Sequence, residues 1–234
     1  MGGWLKFLAI LLGVVTPVWY LLEQNLERFY IFDLDQLHDV AKRGIEAHGN
    51  DTRAIVKHIV DELSGQVSLT SYINRDEEWM FNNAGGAMGA MYIIHASALP
   101  SSPLTFNPLT RDLGVTEYLI IFGTAVGTEG HTGRHTADDY FHILTGTQMA
   151  YVPGEYEPEI YPPGSVHHLR RGDVKQYKMA DSCFALEYAR GWIPPMLFFG
   201  FADGLTSTLD VPTLWRTTWV TGKQMLGNLA RGKF

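Results

Sequence analysis

Cysteine is almost missing from this chain. A single one, Cys183, stands among 234 residues, which excludes an intrachain disulfide framework. Charge is scarce too. Asp, Glu, Lys and Arg make up 18% of the residues, against about 25% in a typical soluble domain, so apolar surface must be hidden from water by something other than an ordinary charged exterior. Positive charge is the scarcer sign: 18 Lys and Arg against 25 Asp and Glu give a net charge of −7. Without a basic excess to neutralise phosphates, general nucleic-acid binding is excluded. Neither a Walker loop nor a Gly-x-Gly-x-x-Gly turn is present, and Gly85-Gly86 in NNAGGAMGAM fits no phosphate cradle. No Gly-x-Ser-x-Gly elbow occurs, and Cys183 has no recognisable base beside it, so neither form of nucleophilic catalysis is indicated. Hydrophobic residues reach 46% and aromatics 12%, which argues against disorder. The length suits one large domain.

One long apolar run stands at the N-terminus. Phe7 to Leu22 is sixteen residues without a charge. With Trp4, Leu5 and a snorkelling Lys6 the stretch reaches about 19 residues, or roughly 28 Å of helix, close to the ~30 Å hydrocarbon core. Trp4 and the pair Trp19-Tyr20 suit the two interfaces. A cleaved signal would have a shorter core and an A-x-A-like site, and the exit VWYLLEQNLERF has none. The expectation is an uncleaved anchor over residues 1–23. Lys6 precedes it while Glu23, Glu27 and Arg28 follow, so the positive-inside rule puts the N-terminus in the cytoplasm and the body across the membrane.

Two helical patterns come next. Asp33 caps a run carrying Leu34, Leu37, Val40, Ala41 and Ile45, closed by Gly49-Asn50. Asn50 or Asp51 starts another with Ile55, Ile59, Val60 and Leu63, ending before Gly65. From residue 87 to about 190, short β-rich runs alternate with Gly, Pro and Asp turns: AMYIIHA, EYLIIFGTAV, YFHILTG, QMAYV, EIY, SVHHL, KQYKM and CFALEYA. Many short strands between turns predict a barrel or a sandwich. Leu99 to Gly114, rich in Pro and Ser, reads as an inserted loop. Residues 194–234 are helical again, in two segments divided before Val211-Pro212, and carry four basic against two acidic residues. An apolar helix pair with a basic bias suits a membrane surface.

Chemistry points to the β region. In the run Cys183 to Ala189, alternation places Cys183, Ala185, Glu187 and Ala189 on one face. Glu187 thus stands among small residues that leave room beside its carboxyl group. Burial there would raise its pKa, as suits an acid that must donate a proton near neutrality. In DDYFHILTG, Asp139, Phe141 and Ile143 share one face and Asp138, Tyr140 and His142 the other, so one carboxylate of the pair faces inward. His131 and His135 are four apart, and PPGSVHH, with His167, resembles a turn of cupin barrels. Their spacing is wrong for a cupin metal site, and no metal or other cofactor is expected.

Three segments, EEWMFNNAGGAMGAMYIIHAS, EYLIIFGTAVGTEGHTGRHTADDYF and FALEYARGWIP, resemble the family of fungal C-8 sterol isomerases and the animal sigma-1 receptor. The likeness runs over most of residues 20–234, and DDYF and the inserted loop resemble the fungal branch. The resemblance implies an α+β chain: an N-terminal transmembrane helix, short helices and a cupin-like β-barrel over residues 24–193, and a membrane-associated helix pair over 194–234. It implies the endoplasmic reticulum membrane, a single pass with the body lumenal, and trimers in the receptor branch. The activity implied is movement of a sterol double bond from Δ8 to Δ7 in ergosterol biosynthesis; ligand binding without turnover, as in the receptor, is the alternative. Residue by residue, Glu187 falls on the carboxylate that binds a ligand's cationic amine, Tyr118 on the tyrosine that hydrogen-bonds it, and Phe122 and Met91 on pocket positions. The receptor's second carboxylate falls on Phe141, and Asp139, two residues earlier on the same face, is expected to take its place. Partners expected are a sterol substrate, membrane lipid and, as inhibitors, cationic amphiphilic amines.

Overall fold

The computed structural model of the chain describes Gly3, Gly13, Val14, Thr16, Pro17, Tyr20, Leu21 and residues 23–99 and 114–231. Two compact units divide the chain, Met1–Tyr30 and Ile31–Phe234. The run Trp4 to Leu22 lies almost wholly outside the described residues, as does the inserted loop at 100–113. In the first unit a short 3-10 turn spans Leu26–Phe29.

The second unit opens with the two expected helices. In α1, Leu34–His48, the Asp33 carboxylate accepts from Gln36 N at 2.9 Å. In α2, Thr52–Gly65, Asp51 accepts from Ala54 N at 3.1 Å. Each cap satisfies a backbone donor that the first turn leaves unpaired. Apolar spacing then buries Leu37, Val40 and Ala41 of α1 and Ile55, Ile59 and Leu63 of α2.

Ten strands follow: β1 (Trp79–Ala84), β2 (Ala87–Leu99), β3 (Gly114–Thr124), β4 (Thr128–His131), β5 (Ala137–Thr145), β6 (Gln148–Tyr151), β7 (Glu159–Tyr161), β8 (Val166–Leu169), β9 (Gln176–Met179) and β10 (Cys183–Gly191). They form two antiparallel sheets, ordered β1-β2-β3-β10-β5-β8 and β4-β9-β6-β7. The eight apolar runs of the sequence are all strands. The strands β1 and β4 are additions: WMFNNA and TEGH carry too many polar side chains for alternation to reveal them, and both are only partly buried. At the turn between β5 and β6, Gly146 has φ +75°, and a Cβ there would run into Ser182 O, so this turn requires glycine.

The large sheet works on both faces. On one, Tyr92, Leu119, Ile121, Leu186 and Tyr188 pack against α1 and α2. On the other, Met91, Ile93, Ile120, Phe122, Ile143, Cys183 and Ala185 meet Met179 of the small sheet. The strand β10, paired with β3 on one side and β5 on the other, contributes to both cores by strict alternation.

Two helices close the chain. α3, Pro194–Asp203, runs into a π-helical turn at Gly204–Thr208. α4, Val211–Ala230, is capped by Asp210, which accepts from Thr213 N at 3.2 Å. The buried Asn228 of α4 donates to Ala96 O of β2 at 2.9 Å, and Val220 packs into the second core. On the outer side Trp215, Trp219 and Leu226 are 69%, 63% and 67% exposed. Among the described residues, no helix is long and apolar enough to cross a membrane.

Candidate active site

The second core does not fill its space. A cavity opens along the face of β10 that carries Glu187, and its wall is mainly apolar. Met91, Tyr118, Ile120, Phe122, Phe141 and Tyr177 line it from the strands; Met196 and Phe199 of α3 and Leu214, Thr217 and Thr221 of α4 wall it from outside the sheets. All six residues singled out in the sequence, Glu187, Asp139, Tyr118, Phe122, Met91 and Phe141, border this one cavity.

Sheet register explains how the carboxyl groups meet. Glu187 pairs with Phe141 across the β10–β5 ladder, and Ala189 pairs with Asp139. Asp139 is therefore the diagonal neighbour of Glu187 on the same face, at a Cβ separation of somewhat under ~7–8 Å. Glu187 is partly buried and borders the cavity. Burial, and then the Asp139 charge, push its carboxyl well above the usual carboxylate range. Asp138 turns to the opposite face, where it accepts from His168 Nε2 at 2.9 Å and Arg171 N at 3.3 Å.

Asp139 is fully buried, and neither of its oxygens has a hydrogen-bond partner. Its companion is His135, whose Nδ1 stands 3.4 Å from Oδ2, an ion-pair separation too poorly aligned for a hydrogen bond. The main chain of His135 is held by Gly172 N donating to its carbonyl at 2.9 Å. Burial alone would lower the His135 pKa; the Asp139 carboxylate more than reverses that and leaves it raised. One carboxyl group thus sits where protonation is favoured, and the other sits beside an imidazole that favours the cationic form.

Tyr118 departs from the expectation. Its Oη donates to Met91 Sδ at 3.9 Å and lies beside Thr221; among the described residues it makes no hydrogen bond to Glu187. A thioether on the neighbouring strand β2 is within reach of the hydroxyl. Cys183 is fully buried, and burial pushes its thiol up to about 12, far from a thiolate nucleophile.

The histidines serve three different neighbours. His131 Nδ1 accepts from Gly133 N at 2.8 Å, His135 faces Asp139, and His167 Nδ1 lies 2.7 Å from Gln148 Oε1. Among the described residues no three His, Cys, Asp or Glu side chains are grouped as a metal ion would need. Sequence reasoning weighed His135 and His167 only as metal ligands and passed over Gln148 and Tyr177, which also line the cavity. Neither His135 nor Gln148 left a usable signal: the four-residue spacing from His135 to Asp139 brings side chains together on a helix and not at a strand, and β6 and β8, which carry Gln148 and His167, belong to different sheets.

The likeness to known proteins extends over the full length of the chain. A protein of Neurospora crassa named C-8 sterol isomerase is 70% identical over 234 residues, which is 100% of this chain and 85% of that one. The sigma non-opioid intracellular receptor 1 of Xenopus tropicalis is 32% identical over 228 residues, covering 97% of this chain and 94% of the receptor. Among solved structures, an RmlC-like cupin from Shewanella frigidimarina is similar at 10% identity over 53% of this chain and 94% of that chain, with a TM-score of 0.37. The family described as ERG2 and Sigma1 receptor like protein matches residues 9–99 and 112–233. With that match reaching from near one end to the other, and relatives alike along their whole length, this chain belongs to the ERG2 and Sigma1 receptor like protein family.

Proposed function

We propose that the chain is a sterol C-8 isomerase, an enzyme that moves the ring double bond from Δ8 to Δ7 in ergosterol biosynthesis. The observation that carries the mechanism is the placing of Glu187 and Asp139 on one face of neighbouring strands, inside an apolar cavity. Fungal relatives bear the same activity in their names. The reaction adds a proton at C9 and removes one from C7, with positive charge at C8 between the two steps. Glu187, held protonated by burial, gives the first proton. Its new negative charge and that of Asp139 stabilise the cation in a low-dielectric space. Asp139 then takes the proton from C7, with the His135 imidazole 3.4 Å away. Proton return from Asp139 to Glu187 restores the starting state, so no net proton is consumed. Two carboxyl groups in different surroundings, one facing the cavity and one beside an imidazole, divide the acid and base roles.

The finer architecture follows the same reading. The two sheets form a cupin-like barrel around the cavity; residues 4–22 anchor the chain in the endoplasmic reticulum membrane with the body lumenal; and α3 and α4 lie on the bilayer. Apolar Trp215, Trp219 and Leu226 on the outer side of α4 support that placement. Lipid and sterol are then the partners, and trimers the assembly expected from the receptor branch. The deciding experiment expresses the chain in cells lacking sterol C-8 isomerase and analyses their sterols by mass spectrometry. Replacement of Δ8 by Δ7 sterols is expected. Continued accumulation of Δ8 sterols beside folded, membrane-bound protein would make the cavity a binding site without turnover.

A further inference from the structure

A sterol brings one strongly polar group into this apolar cavity, its ring-A hydroxyl, and that group needs a partner once it leaves water. We propose that the Gln148–His167 pair is the hydroxyl subsite, with His167 Nε2 accepting the hydrogen bond from the sterol. The inference rests on the isomerase reading and adds the residue that fixes which way round the substrate lies.

Among the described residues, four that line the cavity have buried polar side-chain atoms without a partner: Asn83, His135, Asp139 and His167. His135 and Asp139 face each other. Asn83 is remote. Glu187 is level with Ile120 on β3 and so with Ile93 on β2, whereas Asn83 pairs with Met88, five residues further along. At ~3.4 Å per residue that is roughly 17 Å along the strands. His167 is level with the acid. Glu187 pairs with Phe141, and Phe141 pairs with His167, so the three form one row across β10, β5 and β8. Two strand spacings of ~4.8 Å put roughly 10 Å between the ends of that row. In a sterol the hydroxyl oxygen is five bonds from C9; at ~1.5 Å per bond, folded into chair rings, this spans roughly 5–6 Å. A hydrogen bond of ~2.8 Å at one end and a proton-transfer contact of ~3 Å at the other complete the distance. Phe141, between the two, supplies the floor on which the intervening rings rest.

The chemistry of the pair selects a donor. Gln148 Oε1 accepts from His167 Nδ1 at 2.7 Å, so Nδ1 carries the proton and Nε2 presents a lone pair. Tyr161 stacks on the imidazole at 4.5 Å and Phe141 at 5.9 Å, which fixes its plane. Burial first, and then the Lys175 charge, lower the His167 pKa to about 4, with Glu159 opposing and His168 assisting. The ring therefore stays neutral in the cell and remains an acceptor. A hydroxyl satisfies it; a ketone or an ether, which have no proton to give, cannot.

The test compares a Δ8 sterol with its 3-methyl ether, 3-oxo and 3-deoxy analogues, using full-length protein in membranes. In wild type the three analogues should lose about 10–100-fold in kcat/KM, mostly through KM. His167→Leu should reduce the natural sterol to the level of the analogues while changing turnover of the analogues little. Gln148→Leu, which frees the tautomer, should fall between. Binding of a lipophilic amine that carries no hydroxyl reports whether each variant is folded and should be unchanged. Equal turnover of sterol and methyl ether in wild type overturns the subsite, as does an equal loss of both in His167→Leu. If His167→Leu fails to bind the amine, the wild-type analogue series decides alone. A wild type inactive on every Δ8 sterol would instead overturn the isomerase reading.

Discussion

Replacing Glu187 by Gln separates the chemistry of this site from its shape. The amide is nearly isosteric, and Ala185 and Ala189 on the same face of β10 leave its surroundings undemanding. What the substitution removes is a transferable proton. Loss of a general acid costs about 10²–10⁴-fold, which at ~1.36 kcal/mol per decade is about 2.7–5.4 kcal/mol of barrier. Stability should move the other way. The folded-state pKa of Glu187 is raised above 4.5, so below that pH both folded and unfolded chains carry the proton and the group contributes no difference. As pH rises, the unfolded chain releases its proton while the folded chain keeps it, and wild-type stability falls by up to ~1.4 kcal/mol per pH unit until the folded pKa is passed. Gln has no such dependence. Thermal unfolding in detergent should therefore show the variant gaining on wild type as pH rises above the unfolded carboxyl value, until the raised folded value is passed, while sterol analysis by mass spectrometry shows turnover reduced at least about a hundredfold, the low end of that range. Turnover within tenfold of wild type, or a stability gap that does not widen with pH, would refute the assignment of Glu187 as a buried acid.

Asp139→Asn should slow isomerisation by about 10²–10⁴-fold and drop the His135 pKa, because burial would then act on the imidazole unopposed; NMR titration of that ring in both proteins checks it. The same pair predicts a stability term that is full below the unfolded His pKa and lost as pH rises through the raised folded value, and Asp139→Asn should abolish it. A lipophilic tertiary amine should inhibit as a mimic of the cation at C8, and its neutral carbon isostere should bind about 10²-fold or more weakly; in Glu187→Gln the difference should shrink, and equal wild-type binding of the two would contradict the cationic intermediate. Deleting residues 4–22 should release the protein into alkaline carbonate extracts more readily than the full chain, as measured by immunoblot, whereas unchanged retention would assign membrane attachment to α3 and α4.

The elements most legible in the sequence are those whose side chains alternate between two kinds of surroundings. In β10, Leu186 and Tyr188 meet the helix core while Ala185 and Glu187 meet the cavity, so apolar and small residues alternate visibly along the chain. Alternation also put Asp138 and Asp139 on opposite faces, and the family resemblance pointed to Asp139 as the inward one. It failed for β1 and β4, where partner strands rather than apolar side chains define the strand. Within the site, the carboxyl groups could be read from one strand each. The contacts that tune them could not. His135 lies before β5 and still stands 3.4 Å from Asp139, and His167 meets Gln148 across two sheets. Tyr118 misleads for a related reason: its position was legible, but its hydroxyl settles by local competition among Met91, Thr221 and Glu187.

The helix α4 presents Thr217 and Thr221 to the cavity and Trp215 and Trp219 away from the fold. On the bilayer placement proposed above, a wall with lipid-seeking residues on its outside would admit substrate sideways, and the quantity that saturates the enzyme would be the mole fraction of sterol in the bilayer. Diluting the membrane with inert phospholipid should slow the reaction at constant total sterol. Adding buffer, by contrast, should leave the rate per vesicle where it was.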